Sequence, residues 1–235
     1  PFRWTHAPTP GVSQARNAAL TLAQGNLIAW LDDDEEASPN WIAALLRVRC
    51  ETGAQAVFGP VHARAPKLTA NAIFFERLYS RVGDMQSGLI ARYHGMGNSL
   101  QPRRMFDCDT PFDASADQRG GEDDILFWSW QEAGARFAWA ADAVVTEHLG
   151  PERTSLKHGL KRAFAYGQGP CETAWAQRNY AALARHMVIG LGQAIVFGFA
   201  SAIVLAGSTP RALALLDRAV RGAGKLCWFV EQRFY

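Results

Sequence analysis

The chain is poor in cysteine. Its four cysteines, Cys50, Cys108, Cys171 and Cys227, are scattered, and no two stand at C-x-x-C spacing. That excludes the usual ligand pattern of a structural zinc site and offers no disulfide framework, so a reducing compartment is expected. No run of Lys and Arg interleaved with aromatics is present, so nucleic acid is not an expected partner. No internal repeat or low-complexity tract occurs. No initiator Met and no signal-peptide pattern precede Pro1, and the chain reads as a fragment or a processed product. Net charge is also small, +2 over 235 residues. It is unevenly placed. Residues 151–235 hold 11 Lys and Arg against 4 Asp and Glu, a net of +7, which leaves residues 1–150 at −5. An acidic front and a basic rear fit a metal-using catalytic region followed by a part that meets anionic lipid.

What the front does contain is an acidic stretch, Gly25 to Glu36. The apolar run Leu27–Leu31 reads as a buried strand of a parallel sheet, and ligands of such sheets gather at the carboxyl ends of the strands. Five consecutive carboxylates follow, Asp32 to Glu36. Two carboxylates about 4 Å apart repel by roughly 4 kcal/mol at an effective dielectric near 20. A hard divalent cation with oxygen ligands would offset that. If strand geometry persists, Asp32 and Asp34 point one way and Asp33 the other. The alternative is a solvated acidic turn ahead of a helix opening at Ser38-Pro39, where acids are favourable without a metal.

Around this stretch the chain alternates elements. A helix runs from Ser13 to about Gln24, and Arg16 near its start opposes the helix dipole, so it faces either an anion, an acidic group or plain solvent. Trp41, Ile42, Leu45, Leu46 and Val48 form the apolar face of a helix over 39–51 that Gly53 closes. Residues 55–61 read as a strand and 67–82 as a helix. The segment Tyr93–Leu100, with Gly95 and Gly97, either borders a ligand or is a tight strand with a bulge. Gly120-Gly121-Glu122-Asp123-Asp124 opens a helix that Gly134 ends, a rigid way to present a carboxylate or an ordinary helix start. Short strands at Phe137–Ala140 and Ala143–Thr146 lead to His148, which either completes a metal site with Asp34 or is structural.

The rear is helical. Residues 155–168 form a basic helix ending near Gly167-Gln168-Gly169-Pro170, its cations suited to a diphosphate or a membrane. Met187 to Ala206 carry no charge. As a helix these 20 residues extend about 30 Å, the thickness of a bilayer's hydrocarbon core. Gly190, Ala194, Gly198 and Ala202 make a small-residue seam. A spanning helix, a buried helical hairpin and a monotopic insertion all remain open. A basic amphipathic helix follows over 209–227.

The order of these signals is more specific than any one of them. Gly11-x-Ser13-x-Ala15-Arg16-Asn17, then Gly25-x-x-Ile28-Ala29-x-Leu31-Asp32-Asp33-Asp34, then Gly97-Asn98, then Gly121-Glu122-Asp123, then a strand ending in His148, resembles a family 2 glycosyltransferase of the GT-A fold. The likeness is nearest to bacterial members that build cell-surface polysaccharides, including succinoglycan-type glucosyltransferases. It implies an α/β, Rossmann-like three-layer sandwich over 1–170 and a C-terminal helical, membrane-associating segment over 171–235. It also implies roles. Asp123 would be the general base and Glu122 would orient it or the acceptor. Arg16, Asp32, Asp33, Gly97 and Asn98 would bind the nucleotide-sugar. Asp34, Asp32 and His148 would hold Mg²⁺ or Mn²⁺. The acceptor would be a saccharide or a lipid-linked saccharide, at the cytoplasmic face of a bacterial inner membrane. Two departures matter. The family's first strand and loop, with an Asp that reads the base, have no counterpart, so an N-terminally truncated chain is expected. Asp124 follows the Glu-Asp pair, which leaves the base open by one residue. A metal-dependent nucleotidyltransferase and a non-catalytic membrane-bound remnant are the rival readings.

Overall fold

The computed structural model describes residues 2–67, 69–108, 110–116 and 121–230. Among the described residues the strands are, in chain order, β1 Leu27–Trp30, β2 Glu35–Ala37, β3 Ala56–Phe58, β4 Val61–Arg64, β5 Gly88–Ile90, β6 Ser99–Pro102, β7 Phe137–Trp139 and β8 Val145–His148. The helices are α1 Val12–Leu22, α2 Trp41–Thr52, α3 Ala72–Tyr79, α4 Glu122–Glu132, α5 Leu156–Ala176, α6 Tyr180–Val204 and α7 Thr209–Leu226. They divide into two compact units, Pro1–Ala63 with Ser80–His148, and Arg64–Tyr79 with Leu149–Phe234. The expected mixed α/β architecture with a long apolar C-terminal helix is therefore present. Helix α5 continues unbroken through Pro170 to Ala176.

The first unit is built on a five-stranded sheet in the order β1-β6-β3-β7-β5. Only β3 and β7 pair in parallel; β6 runs antiparallel to both β1 and β3. The parallel setting expected for Leu27–Trp30 is thus corrected. This strand pairs with β6 alone, and its residues are only half-buried. Side chains alternate across the sheet. Phe58, Phe137 and Trp139 join Phe106, Phe112 and Phe127 on one face, while Val57, Leu100 and Ala138 lie under Leu45 and Val48 of α2 on the other. Phe58 meets Phe127 edge to face at 5.0 Å between ring centres. Each buried ring of this kind contributes on the order of 2 kcal/mol of transfer free energy.

The acidic run is not the end of one strand. The chain turns after Asp32, where the N–H of Glu35 donates to the Asp32 carbonyl at 3.1 Å. Glu35 and Glu36 then begin β2, which pairs antiparallel with β8 in a second, three-stranded sheet ordered β2-β8-β4. Helix α2 starts at Trp41, later than the expected Ser38-Pro39. The Ser38 N–H donates instead to the Val144 carbonyl, which keeps Ser38 in the extended chain beside β8. Gly53 ends α2 in the left-handed conformation at φ 63°, where a glycine carries no Cβ penalty.

In the second unit α7 runs antiparallel to α6. Ser201 donates to the Ala212 carbonyl at one end, and Lys225 donates to the Gln193 side chain at the other. Gly222 sits against the backbone of Gly190 and Ala194, where a Cβ would come within 2.5 Å of the Gly190 carbonyl oxygen. On its other side α7 packs on α5 through Gly167, which faces the Arg221 backbone, and Gly224, which faces Phe164 and Gly167. The Gly-Gln-Gly-Pro sequence that read as a helix stop lies inside α5, where Gly167 makes the close approach and Gln168 donates to the Cys227 and Val230 carbonyls.

Candidate active site

Helix α1 is fixed by its own polar residues. The Ser13 hydroxyl donates to the Asp113 carbonyl, and the Asn17 amide makes two bonds to the backbone of Phe112. This aims Arg16 inward. Its guanidinium lies 2.6 Å from Glu122 and 3.8 Å from Asp32, so of the three partners open to it the structure selects acidic groups. Glu122 and Asp123 open α4 behind Gly121, which is left-handed at φ 88°.

The segment Gly95-Met96-Gly97 bridges the two acidic groups. The Met96 N–H donates to Asp123 Oδ2 at 2.9 Å, and the Asp124 N–H donates to Asp123 Oδ1 at 3.0 Å. Gly97 lies under Asp32: a Cβ there would come 2.5 Å from Asp32 Oδ2 and 3.1 Å from Glu35 Oε1. A Cβ on Gly95 would come 3.5 Å from Asp123 Oδ2. The glycines thus let a carboxylate from the β1–β2 turn and one from α4 approach the same short backbone. Asp33 is exposed at the corner of the turn, and Asp34 is half-exposed.

Neighbouring charge shapes these groups. Burial pushes the Asp32 carboxyl above its ordinary range; Arg16 and Arg81 oppose the shift, and Asp34 and Asp123 add to it. Glu35, with only 1% of its side chain exposed, is pushed up to about 7, chiefly by burial. It accepts from the Asp32 N–H at 3.0 Å and from Arg81 at 3.0 Å. Asp124 is raised to about 6 by burial and by Asp123 and Glu122, against a hydrogen bond from Tyr93. The Tyr93 hydroxyl is raised by burial and by Asp124 and Asp123, and its ring stacks on Phe127 at 5.4 Å. His94 is lowered by burial and by Arg81, with its ring 4.6 Å from Trp139.

Two residues expected at the site face elsewhere. The Asn98 side chain is wholly buried and engaged with the scaffold. Its Oδ1 accepts from Trp41 at 2.7 Å, and its Nδ2 donates to the carbonyls of Pro60 and Ala143. No amide group is left to reach a ligand. The backbone N–H of His148 donates to the Asp34 carbonyl, but its imidazole turns to Glu36 at 3.1 Å. The expected ligand set Asp34, Asp32 and His148 therefore does not converge, and among the described residues no three His, Cys, Asp or Glu side chains form a metal-holding group. Sequence reasoning missed Arg81 and the depth of Glu35. Glu35 was visible as a member of the acidic run, whereas Arg81 lies 46 positions away with no motif of its own.

Among solved structures, GalNAc-T7 with UDP, GalNAc and Mn²⁺ resembles the chain at a TM-score of 0.45 and 16% identity, over 70% of this chain and 38% of that one. S. aureus TarS 1-349 with UDP does so at 0.44 and 13%, over 94% and 70%. At the level of sequence, the succinoglycan biosynthesis protein ExoM of Rhizobium meliloti (strain 1021) is 34% identical over 172 residues, which are 70% of this chain and 53% of that protein. The chain thus spans about half the length of this curated relative. Residues 1–108, which carry α1, the acidic turn and the Gly95–Gly97 bridge, match the family model of glycosyl transferase family 2. Over that segment the chain is similar to glycosyl transferase family 2.

Proposed function

We propose that this chain is the catalytic part of an inverting glycosyltransferase that moves a sugar from a nucleotide-sugar to a hydroxyl of a saccharide or lipid-linked acceptor in cell-surface polysaccharide synthesis. The observation that carries the reading is the bridge Gly95–Gly97, with Asp32 against one end and Asp123 against the other. Inverting transfer needs a base on the acceptor side of the anomeric carbon and charge stabilisation on the side of the departing diphosphate. Asp123 is the base. It takes the acceptor's hydroxyl proton as the acceptor oxygen bonds to the anomeric carbon and the bond to the diphosphate breaks. Each Asp123 oxygen accepts one backbone N–H, which fixes the carboxylate and leaves lone pairs for that proton. Glu122 holds Arg16 in place, and Arg16 contacts the nucleotide-sugar beside Asp32.

Asp32 and Asp34 hold Mg²⁺ or Mn²⁺. Burial raises the proton affinity of Asp32, with Asp34 and Asp123 adding to it against Arg16 and Arg81, and a carboxylate so poorly solvated fits a divalent cation. The cation, when bound, neutralises charge on the diphosphate leaving group. Asp33, at the turn's exposed corner, is on the donor side of this set. The reading places the protein at the cytoplasmic face of a bacterial inner membrane; the apolar helix Tyr180–Val204 supports the membrane association alone.

The test is a thermal-shift titration of the full protein with UDP, GDP and dTDP, with and without Mn²⁺. A ligand at 100 times its dissociation constant stabilises a fold by about 2.7 kcal/mol. A metal-dependent shift with one nucleotide is expected. No shift with any of the three overturns the donor reading.

A further inference from the structure

Helix α6 presents an apolar face with no partner among the described residues, and the helix beside it determines how that face meets lipid. The exposed positions Val188, Ile189, Leu191, Ile195, Val196, Phe199, Ala202 and Ile203 recur at helical spacing on one side. Val188, Phe199 and Ile203 are 72%, 71% and 76% exposed. From Val188 to Ile203 this face extends about 24 Å and carries no charged or strongly polar side chain. The opposite side, with Gly190, Gln193, Ala194, Phe197 and Ser201, is covered by α7. The sequence seam is used only in part: Gly190 and Ala194 meet α7, while Gly198 has open space beside it and Ala202 is exposed.

Helix α7 follows α6 antiparallel from Gly190 to Ser201, so the two share one depth in any membrane. Along that length α7 carries Asp217, Arg218, Arg221 and Lys225. Asp217 pairs with Arg221 at 2.7 Å, Lys225 binds Gln193 at 2.8 Å, and Arg218 is exposed over the Phe197 ring. A crossing α6 would draw three cations and one anion to hydrocarbon depth, where ionised groups are strongly disfavoured. Lying in the plane avoids this, with the bare face in the acyl chains and α7 on the headgroup side. The ends of the pair have the chemistry of a membrane interface. Trp175, Tyr180, Trp228 and Phe229 form one aromatic cluster beside the start of α6, with ring contacts of 5.2–6.2 Å. Arg185 and Arg211 are exposed at its two ends and complement anionic headgroups.

We propose that α6 is a monotopic anchor: it lies in the plane of one leaflet of an anionic bilayer, its Val188–Ile203 face immersed, and does not cross. This rests on the membrane association proposed above and decides its mode. The test uses inverted inner-membrane vesicles from cells expressing the full protein with Gln177→Cys, before α6, or Gly207→Cys, after it. Labelling by a membrane-impermeant maleimide is read peptide by peptide. The expected result is that the protein sediments with the vesicles and both positions label equally. Sedimentation with only one position labelled overturns the in-plane mode and leaves membrane association standing. A wild-type chain that stays in the supernatant overturns both, and elution at twice the chain's mass would then assign the face to a second copy. Val196→Asp, checked by circular dichroism to retain its helix, is expected to lower the vesicle-bound fraction at least tenfold; unchanged sedimentation overturns immersion of this face.

Discussion

The two units handle charge in opposite ways. In the first, carboxylates and guanidiniums are drawn inward and assigned partners: Arg16 to Glu122, Arg81 to Glu35, Asp123 to two backbone N–H groups. In the second, the Val188–Ile203 face of α6 is free of charge, and cations sit on α5, on α7 and toward the ends of α6. The first arrangement holds its carboxyl protons more tightly than water would, a store of poorly solvated negative charge suited to a cationic or electrophilic ligand. The second exposes apolar surface that water does not favour, suited to lipid. Substitutions should therefore be costly in the first unit and lightly felt on the face of α6.

The largest expected effect is at Asp123. Asp123→Asn should lower transfer by about 10²–10⁴-fold with nucleotide binding retained, read by release of nucleoside diphosphate. Full turnover in Asp123→Asn with loss in Asp124→Asn would move the base to Asp124. Next is Asn98→Ala, which strands the Trp41 indole N–H, takes one donor from each of the Pro60 and Ala143 carbonyls and leaves alanine at φ 57°. It should cost about 3 kcal/mol or more in urea unfolding. Gly97→Ala should cost about 1–3 kcal/mol and weaken metal-dependent nucleotide binding, because the new methyl displaces Asp32. By contrast Val196→Ala, on the exposed face of α6, should change unfolding in aqueous buffer by less than about 0.5 kcal/mol. A large loss there would break the contrast between the units.

A pH effect sharpens the same contrast. The His94 pKa is lowered in the fold by burial and by Arg81, so the folded state resists the proton that the unfolded chain accepts. The His94 contribution is nil above the unfolded value and becomes unfavourable as pH drops through about 6.5, against the opposite contributions of Glu35 and Asp124. His94→Gln should flatten that acid limb, measured by urea midpoints between pH 7.5 and 5.5.

Much of the helical framework was legible in the sequence. Gly53, Gly121 and Gly134 mark ends where the chain turns left-handed, and the apolar spacing of Trp41–Val48 placed α2. Strand β5 was not legible as a strand, and β6 only in part, since the strand alternative for Tyr93–Leu100 reached no further than its first two residues. The first is three residues long with a leading glycine, and the second, Ser-Leu-Gln-Pro, buries polar groups that composition assigns to a surface. The two acids that meet the Gly95–Gly97 bridge of the candidate site, Asp32 and Asp123, could be singled out because each sits in a local motif. Arg81 was not, since its role depends on pairing with a residue 46 positions earlier. Asn98 beside Gly97 was read as a ligand contact because sequence adjacency does not reveal which way a side chain turns.

Asn98 has a further consequence. One amide fastens α2, the residue between β3 and β4, and the loop that enters β8. The same loop region guides β8 to β2, and thereby sets where the acidic turn ends. Asn98 is a keystone: three segments distant in sequence share one fixed point, and the frame that carries Asp32 and Asp34 keeps its dimensions only while that point holds.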